Sequence, residues 1–472
     1  MAATVGERDV IGEATLGELE STLRGRLVRP ADPDYDQART VWNAAHDRRP
    51  ALIIRCAGAA DVIRAVEFAR SEGLPVAVRG GAHSIAGFST TDGGVVIDLS
   101  PMKGIRVDPQ ARRAVAQPGL TWSDFDHETQ AFGLASTGGL VSSTGIAGLT
   151  LGGGFGCLQR KYGLACDNLV SADVVTADGQ LVTASEESHP ELFWALRGGG
   201  GNFGVVTSFE YRLHPVGPIV FAGPVFYAAA DASAVLRGWR DLTATMPDEL
   251  TSLANIFVAP PLPFLPEAVH GQTVIGIVGV YAGPVDDGAR AAEPLRTLAE
   301  PLVDLMGPMP YVAMQSLLDP LWGPGAHNYF TDALLGRLDD EAIDTLLARQ
   351  AAGRAPVHEL HVYHCGGAMA RVPAGGTAFA HRDAAFELEI IARSPDGEGF
   401  DEHADWARTT RETMGRWSTG GGYVNFTSEP GEDKVRASYP PDTYVRLVAV
   451  KDRYDPTNLF QLNQNIRPSG GR

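Results

Sequence analysis

The sequence predicts an α+β chain of two domains in which a C-terminal segment returns to the first. Three observations carry that expectation. Up to residue 216, strand-like apolar runs and helix-like periodic runs alternate in β-α-β order and feed glycine-rich turns. Near Pro215-Val216-Gly217-Pro218 glycine thins out, and strands alternate with amphipathic helices such as 231–242 and 341–350. From about residue 421, aromatic and Asn/Gln residues become frequent again. The expected units are therefore 1–216, 217–420 and a returning segment 421–472. With 472 residues, 44% of them hydrophobic and 20% charged, the chain is too long for one core and apolar enough for several.

Taken in order, residues 1–49 are polar and helical in pattern, and Pro50 to Cys56 reads as a buried strand. Residues 59–70 place apolar side chains at helical spacing, with Gly73 just beyond. Leu74 to Val78 is the next strand, and it runs into Arg79-Gly80-Gly81-Ala82-His83-Ser84-Ile85-Ala86-Gly87. Glycines there let main-chain N–H groups converge on one oxyanion, as a pyrophosphate requires. A histidine inside such a turn lays its imidazole against whatever the turn holds. Further strands are expected at 95–99, 114–119, 171–177 and 204–213, with helices starting at 121 and 191. Glycines are densest over 137–156, where few side chains protrude and a long ligand can lie against main chain.

The formal net charge of −18 argues against nucleic acid or an anionic membrane as a partner. Cys56, Cys157, Cys166 and Cys365 show neither CxxC nor zinc spacing, so free thiols in a reducing compartment are expected. Met1 to Gly17 carries acids and no apolar signal core, and no stretch approaches a membrane span. A cytoplasmic protein is the expectation.

Two features imitate other sites. Gly199-Gly200-Gly201-Asn202-Phe203-Gly204 has GxGxxG spacing, but a helix precedes it and a strand comes after, the reverse of a dinucleotide fingerprint. His358 and His364 share one face of a strand about 20 Å apart, too far for one metal ion, while His361 turns the other way with Glu359 and Tyr363. Gly420 to Phe426 reads as a strand with Tyr423 and Asn425 on one face. Residues 454–466 end in an amide cluster suited to the polar edge of a heterocycle.

Together these motifs resemble one family. The joint pattern is Arg79-Gly80-Gly81-Ala82-His83-Ser84, the run Thr144 to Gly156, Arg160 to Leu164 with Asp167-Asn168-Leu169, Trp194 to Gly200, Tyr423-Val424-Asn425, and Tyr454-Asp455-Pro456 to Asn465. It is similar to FAD-linked oxidases of the vanillyl-alcohol-oxidase superfamily, in the berberine-bridge-enzyme-like branch. The resemblance spans nearly the whole chain in order and is specific for fold and cofactor, less so for substrate. It implies a PCMH-type FAD-binding domain of two subdomains, then an α/β substrate domain with an antiparallel sheet, then the returning segment.

Residue by residue, the resemblance implies that His83 bonds through a ring nitrogen to the 8α-methyl of FAD. A neutral imidazole is nucleophilic enough to add to the methide tautomer of an electron-poor flavin. Many members form a second link through a cysteine four residues before the glycine matching Gly145; Val141 stands there, so one link through His83 only is expected. The implied cofactor-binding residues are Arg79, Gly80, Gly81, Ala82, His83, Ser84 and Gly87 in the turn. From the glycine run come Gly139, Ser143, Thr144, Gly145, Gly148, Leu149, Gly152, Gly153 and Gly154. Asn168, Val206, Asn463 and Asn465 complete the set, with Gln464 beside them.

Tyr423 and Asn425 match the family's Y-x-N segment and are the implied catalytic pair. As a phenolate Tyr423 would serve as base, which needs a nearby cation or amide donors to lower a pKa of about 10. Cys157 reads as a small buried residue rather than a nucleophile. Specificity is expected from strands around 253–258, 274–280 and 357–365, with Tyr329, His361 and Tyr363 as contacts. The expected partners are a small-molecule substrate, an alcohol, amine or natural-product scaffold, and O₂. The leading reading is an oxidase. A flavin dehydrogenase with another acceptor and a non-redox cyclase using flavin as scaffold stand beside it, while a flavin-storage role fits poorly with His83, Tyr423 and Asn425.

Overall fold

A computed structural model describes residues 11–261, 265–354 and 357–470. Its first sheet is the β-α-β unit. Strands β2 (Leu52–Arg55), β4 (Val95–Asp98) and β3 (Val76–Arg79) run parallel, and β1 (Arg26–Val28) adds antiparallel at the edge. Helix α1 (Ala59–Ser71) makes the crossover and buries Val62, Ala65, Val66 and Ala69, the i, i+3, i+4, i+7 stripe that sets its docked face. The opening segment is less helical than its composition predicts. Helices Glu13–Thr22 and Tyr35–Arg39 flank β1, whose Leu27 and Val28 are buried and gain more as a sheet edge. Residues 1–10 lie outside the described part.

The second sheet is antiparallel, in the order β5 (Ile105–Asp108), β6 (Arg113–Ala116), β9 (Val205–Arg212), β7 (Leu169–Val175), β8 (Leu181–Ser185). Helix α2 (Trp122–Gln130) starts in a capping box between Thr121 and Asp124. Helix α3 (Ile146–Gly152) follows the glycine run, and α4 (Pro190–Leu196) precedes β9.

The third sheet has eight strands, all antiparallel. In chain order they are β10 (Ile219–Ala228), β11 (Leu250–Val258), β12 (Thr273–Tyr281), β13 (Val303–Asp304), β14 (Gly307–Pro310), β15 (His327–Leu335), β16 (Val357–His364) and β17 (Phe386–Ser394). In space the order is β13-β10-β12-β11-β16-β17-β15, with β14 also on β10. Helices α5 (Ala232–Thr243), α6 (Val285–Arg296), α7 (Asp340–Ala351) and α8 (Phe400–Met414) cover one face, where Trp239, Leu295, Ile343 and Met414 meet Ile277, Leu360 and Ile390. Strand residues of opposite parity, among them Asp332, His361 and Glu389, face the first domain.

Helix α9 (Pro441–Tyr454) then returns, packing Leu447 and Val450 in one cluster with Phe203 and Tyr211. A wholly buried ion pair fixes the tail beyond this helix. Lys451 Nζ donates to Asp455 at 2.6 Å, to Asn202 O at 2.8 Å and to Phe460 O at 3.2 Å. The Asn202 amide donates to Gly199 O and Gln464 O, and its Oδ1 accepts from Ile466 N–H. All three ammonium protons are thereby satisfied, the condition under which a buried ion survives. Replacing Lys451 with Met strands Asp455 in the core, and urea unfolding is expected to show about 3–5 kcal/mol less stability.

Candidate active site

Between the first two sheets, the third sheet and the returning tail lies a cavity of about 320 Å³. Its floor is the turn after β3. Ala82 sits at φ 55°, so the chain passes through the left-handed region that folds successive N–H groups into an anion-binding concavity. Those of Gly81, Ala82 and Ser84 donate to no protein acceptor among the described residues. Gly81 is held to glycine by contact: a Cβ there would lie 2.5 Å from Gly145 Cα, so the two glycine loops touch backbone to backbone.

His83 is stacked on Trp42, with ring centroids 4.3 Å apart and planes at 20°. Trp42 is itself fixed by a bond from Nε1 to Trp322 O at 2.9 Å. His83 Nε2 is buried and has no partner. Burial lowers the imidazole pKa to about 4, leaving it neutral at physiological pH. Across the cavity, Asn463 Oδ1 and Gln464 Nε2 are likewise buried without partners. Open N–H groups in a glycine cradle, an orphaned neutral imidazole and orphaned amides match the phosphates, the ring methyl and the polar ring edge of FAD.

Tyr423 and Asn425 come together differently from the strand expectation. Residues 420–426 form no strand; a turn over 423–426, closed by Phe426 N–H on Tyr423 O, brings Asn425 Nδ2 to the Tyr423 oxygen at 2.8 Å. Gly154 N–H donates to the same oxygen at 2.8 Å, and Asp332 Oδ2 accepts from Tyr423 N–H at 2.6 Å. Both expected amide donors are present, yet burial outweighs them and raises the phenol far above its ordinary value. Tyr423 is therefore a neutral phenol here, with its lone pairs occupied and its own O–H left to donate. That corrects the phenolate expectation.

Of the residues expected around the cofactor, Gly80, Gly81, Ala82, His83, Ser84, Gly139, Thr144, Gly145, Gly148, Leu149, Val206 and Asn463 line the cavity. The rest stand behind it. Arg79 is spent on the carbonyls of Ala38, Arg39 and Ser89 and braces the turn. Gly87 packs under His46. Ser143 is exposed on the outside of its loop. Gly152 and Gly153 give room to Asn425, Phe379 and Tyr423, and Gly154 acts through its N–H. Asn168 bonds Tyr162 O, Leu164 O and His214, and Asn465, whose Oδ1 is buried without a partner, is not on the lining.

In the second domain, strands β11 and β12 do not reach this cavity, whereas β16 and β17 do. His361 and Tyr363 line it, but Tyr329 belongs to the helix-facing core and bonds Glu429 at 2.7 Å; its neighbour Phe330 faces the cavity instead. Cys157 lies in an apolar cluster, and burial pushes its thiol up to about 12, as fits a packing residue. Sequence reasoning missed Trp42, Trp322, Glu389, Ile391 and Gly199–Gly201, all on the lining. For Glu389 a signal existed: β17 alternates Glu387, Glu389 and Ile391 with Leu388, Ile390 and Ala392. Trp42 and Trp322 sit in loops with no periodic pattern.

The roof is ionic. His361 Nε2 donates to Glu359 at 2.7 Å, its Nδ1 lies 3.4 Å from Glu389, and Tyr363 OH donates to Glu389 at 2.8 Å. Burial alone would strip the imidazole of its proton; bonds to the two carboxylates outweigh it and lift His361 to about 9. Behind it, burial raises Asp332 to about 7 and Glu387 well above the carboxylate range.

A PCMH-type fold with such a cavity defines a flavin-dependent oxidoreductase. The comparisons agree. Residues 50–185 match the FAD binding domain family and 422–467 the berberine and berberine-like family. The chain is 33% identical to (R)-6-hydroxynicotine oxidase of Paenarthrobacter nicotinovorans, covering 95% of this chain and 98% of that protein. It is 29% identical to xylooligosaccharide oxidase of Thermothelomyces thermophilus over 89% and 88% of the two chains. The crystal structure of 6-hydroxy-D-nicotine oxidase from Arthrobacter nicotinovorans superposes with a TM-score of 0.86 at 30% identity, over 95% and 98% of the chains. The chain belongs to the FAD-linked oxidases of the berberine-bridge-enzyme-like branch.

His361 gives a pH signature. Its folded pKa is raised from 6.5 to about 9, so its contribution is complete below 6.5 and disappears as pH climbs to 9. Denaturation at stepped pH is expected to lose about 3 kcal/mol across that window, and His361→Gln to flatten it.

Proposed function

We propose that the chain is an oxidase that ties FAD to His83 alone, takes hydride from a small molecule lying under the β16–β17 roof, and passes the electrons to O₂ as H₂O₂. The observation that carries the linkage is the buried, neutral His83 Nε2 with no protein partner inside an open N–H cradle. Val141, where a second link would need sulfur, lines the same cavity and supplies none. Bound FAD supplies the two-electron acceptor. The protein's share is to hold the substrate against it, with Trp42 clamping the His83 ring and Tyr423 OH donating to a substrate heteroatom. Phe155, Phe330 and Trp322 keep water from the reacting carbon. Related proteins act on 6-hydroxynicotine and on xylo-oligosaccharides, which supports oxidation of a small organic substrate.

Four unpaired, buried cysteines suit a reducing compartment, and we place the enzyme in the cytoplasm. Among the described residues no helix is long and apolar enough to cross a membrane.

Intact mass and absorbance after acid denaturation test the linkage. An FAD-sized increment is expected in the native chain and none in His83→Ala; an increment surviving in the variant refutes it. Peroxide formed in step with O₂ consumption supports the oxidase, and turnover only with an artificial acceptor refutes it. Replacing Tyr423 with Phe is expected to slow flavin reduction about 10- to 100-fold in stopped flow, the worth of one strong buried hydrogen bond.

A further inference from the structure

We infer that the substrate is an apolar amine bound as its cation, with Glu389 receiving first the ammonium group and then its proton. This rests on the flavin-oxidase reading above and narrows it to one chemical class.

The polar inventory of the roof is short. Among the described residues of the second domain, His361, Tyr363 and Glu389 bring polar side chains to the cavity, and Trp322 adds an indole N–H. Both His361 nitrogens face carboxylates, and the Tyr363 hydroxyl is committed to Glu389 Oε2. No donor among the described residues reaches Glu389 Oε1. That oxygen is therefore the open acceptor the roof offers. No Lys or Arg side chain lines the cavity. Arg393, the nearest guanidinium on β17, is turned to the carbonyls of Leu321 and Gly323 and lies over the Trp322 ring. One His361 charge is shared between the carboxylates of Glu359 and Glu389, so the trio keeps a net negative charge beside the cavity. Arg411, which donates to Asp332 O one strand away from Glu389, and Lys434 do not line the cavity.

The rest of the wall around Glu389 is aromatic: Trp322, Phe330, Phe155, Tyr363 and Phe426. Aromatic faces with one carboxylate favour a cation that is otherwise greasy, through cation–π attraction and a charge-assisted hydrogen bond. An oligosaccharide would leave many hydroxyls buried without partners there, at a cost for each. A neutral alcohol would gain nothing from the carboxylate's charge.

The chemistry balances. A secondary ammonium, R₂CH–NH₂R⁺, gives one N–H proton to Glu389 and recovers its lone pair. The α-carbon then loses hydride to the bound flavin, the C–H pair leaving as the nitrogen lone pair forms C=N. The product is R₂C=NHR⁺, oxidised by two electrons, and the flavin is reduced by the same two. Deprotonation must come first, because an ammonium has no lone pair with which to expel hydride.

The test uses the flavin-loaded protein and two inert probes of nearly one shape, phenyltrimethylammonium and its uncharged isostere tert-butylbenzene. Binding is read by the shift in the flavin spectrum. The cation, which has no N–H, is expected to bind at least about tenfold tighter than the isostere through cation–π attraction and the carboxylate's charge. Glu389→Gln should abolish that preference and Glu389→Asp should restore part of it, while isostere affinity stays constant and reports an intact pocket. Equal affinity of the two probes in the native protein, or a preference that survives Glu389→Gln, overturns the assignment. If Glu389→Gln fails to fold, Glu389→Asp serves instead, and a cation preference undiminished there overturns it equally. Anaerobic flavin reduction separates the two readings. Reduction by oligosaccharides and not by secondary amines leaves the oxidase standing and removes the amine; a protein that carries no flavin removes both.

Discussion

The ammonium of Lys451, buried without exposure, is the interaction on which the cavity depends. It binds one carboxylate and two carbonyls from three separate pieces of chain: the end of α9, the loop before β9, and the tail. An ion can be held there only if every proton is placed, so the position of each piece is fixed to hydrogen-bond precision. Through Asn202 the same knot sets Gly199 and Gln464. Glycines 199–201 and the amides of Asn463 and Gln464 therefore reach the cavity as one rigid wall, although they lie far apart in sequence.

Burial sets the protonation states around that cavity, with opposite results for different groups. It keeps His83 neutral, which a nucleophilic ring nitrogen needs, and keeps Tyr423 protonated, so that it can donate. His361 suffers the same desolvation but meets two carboxylates and is held charged. Two histidines in one cavity thus carry different charges because one faces an indole and the other faces acids. The arrangement puts a neutral floor beneath an acidic roof.

Much of this was legible in the sequence, for identifiable reasons. The β-α-β unit and its glycine turn are written in local apolar periodicity and in glycines that close contacts make obligatory, as at Gly81 against Gly145. Strand parity put His361 and Tyr363 on one face, and both line the cavity; around Gly199 to Gly204 a helix precedes and a strand comes after, the order expected from the sequence. Those glycines line the cavity all the same, since close backbone approach does not need a helix N-terminus. The inferences that failed rested on a motif's reputation or on the wrong local geometry. Arg79 and Asn168 belong to the motifs yet spend their side chains on carbonyls behind them. Tyr423 and Asn425 meet through a turn, which parity does not describe. Trp42 was invisible because its role depends on Trp322, a partner in another domain.

The same knot orders events during synthesis. The turn bearing His83 and the loop bearing Asn202 emerge early, but Lys451 and Gln464 leave the ribosome only after the whole third sheet has been made. Until then Asn202 has Gly199 but lacks Lys451, Gln464 and Ile466, and the cavity lacks a wall. A nascent chain therefore presents the glycine turn well before it can present a closed cavity. The last-made piece closes the cavity as a latch closes a door.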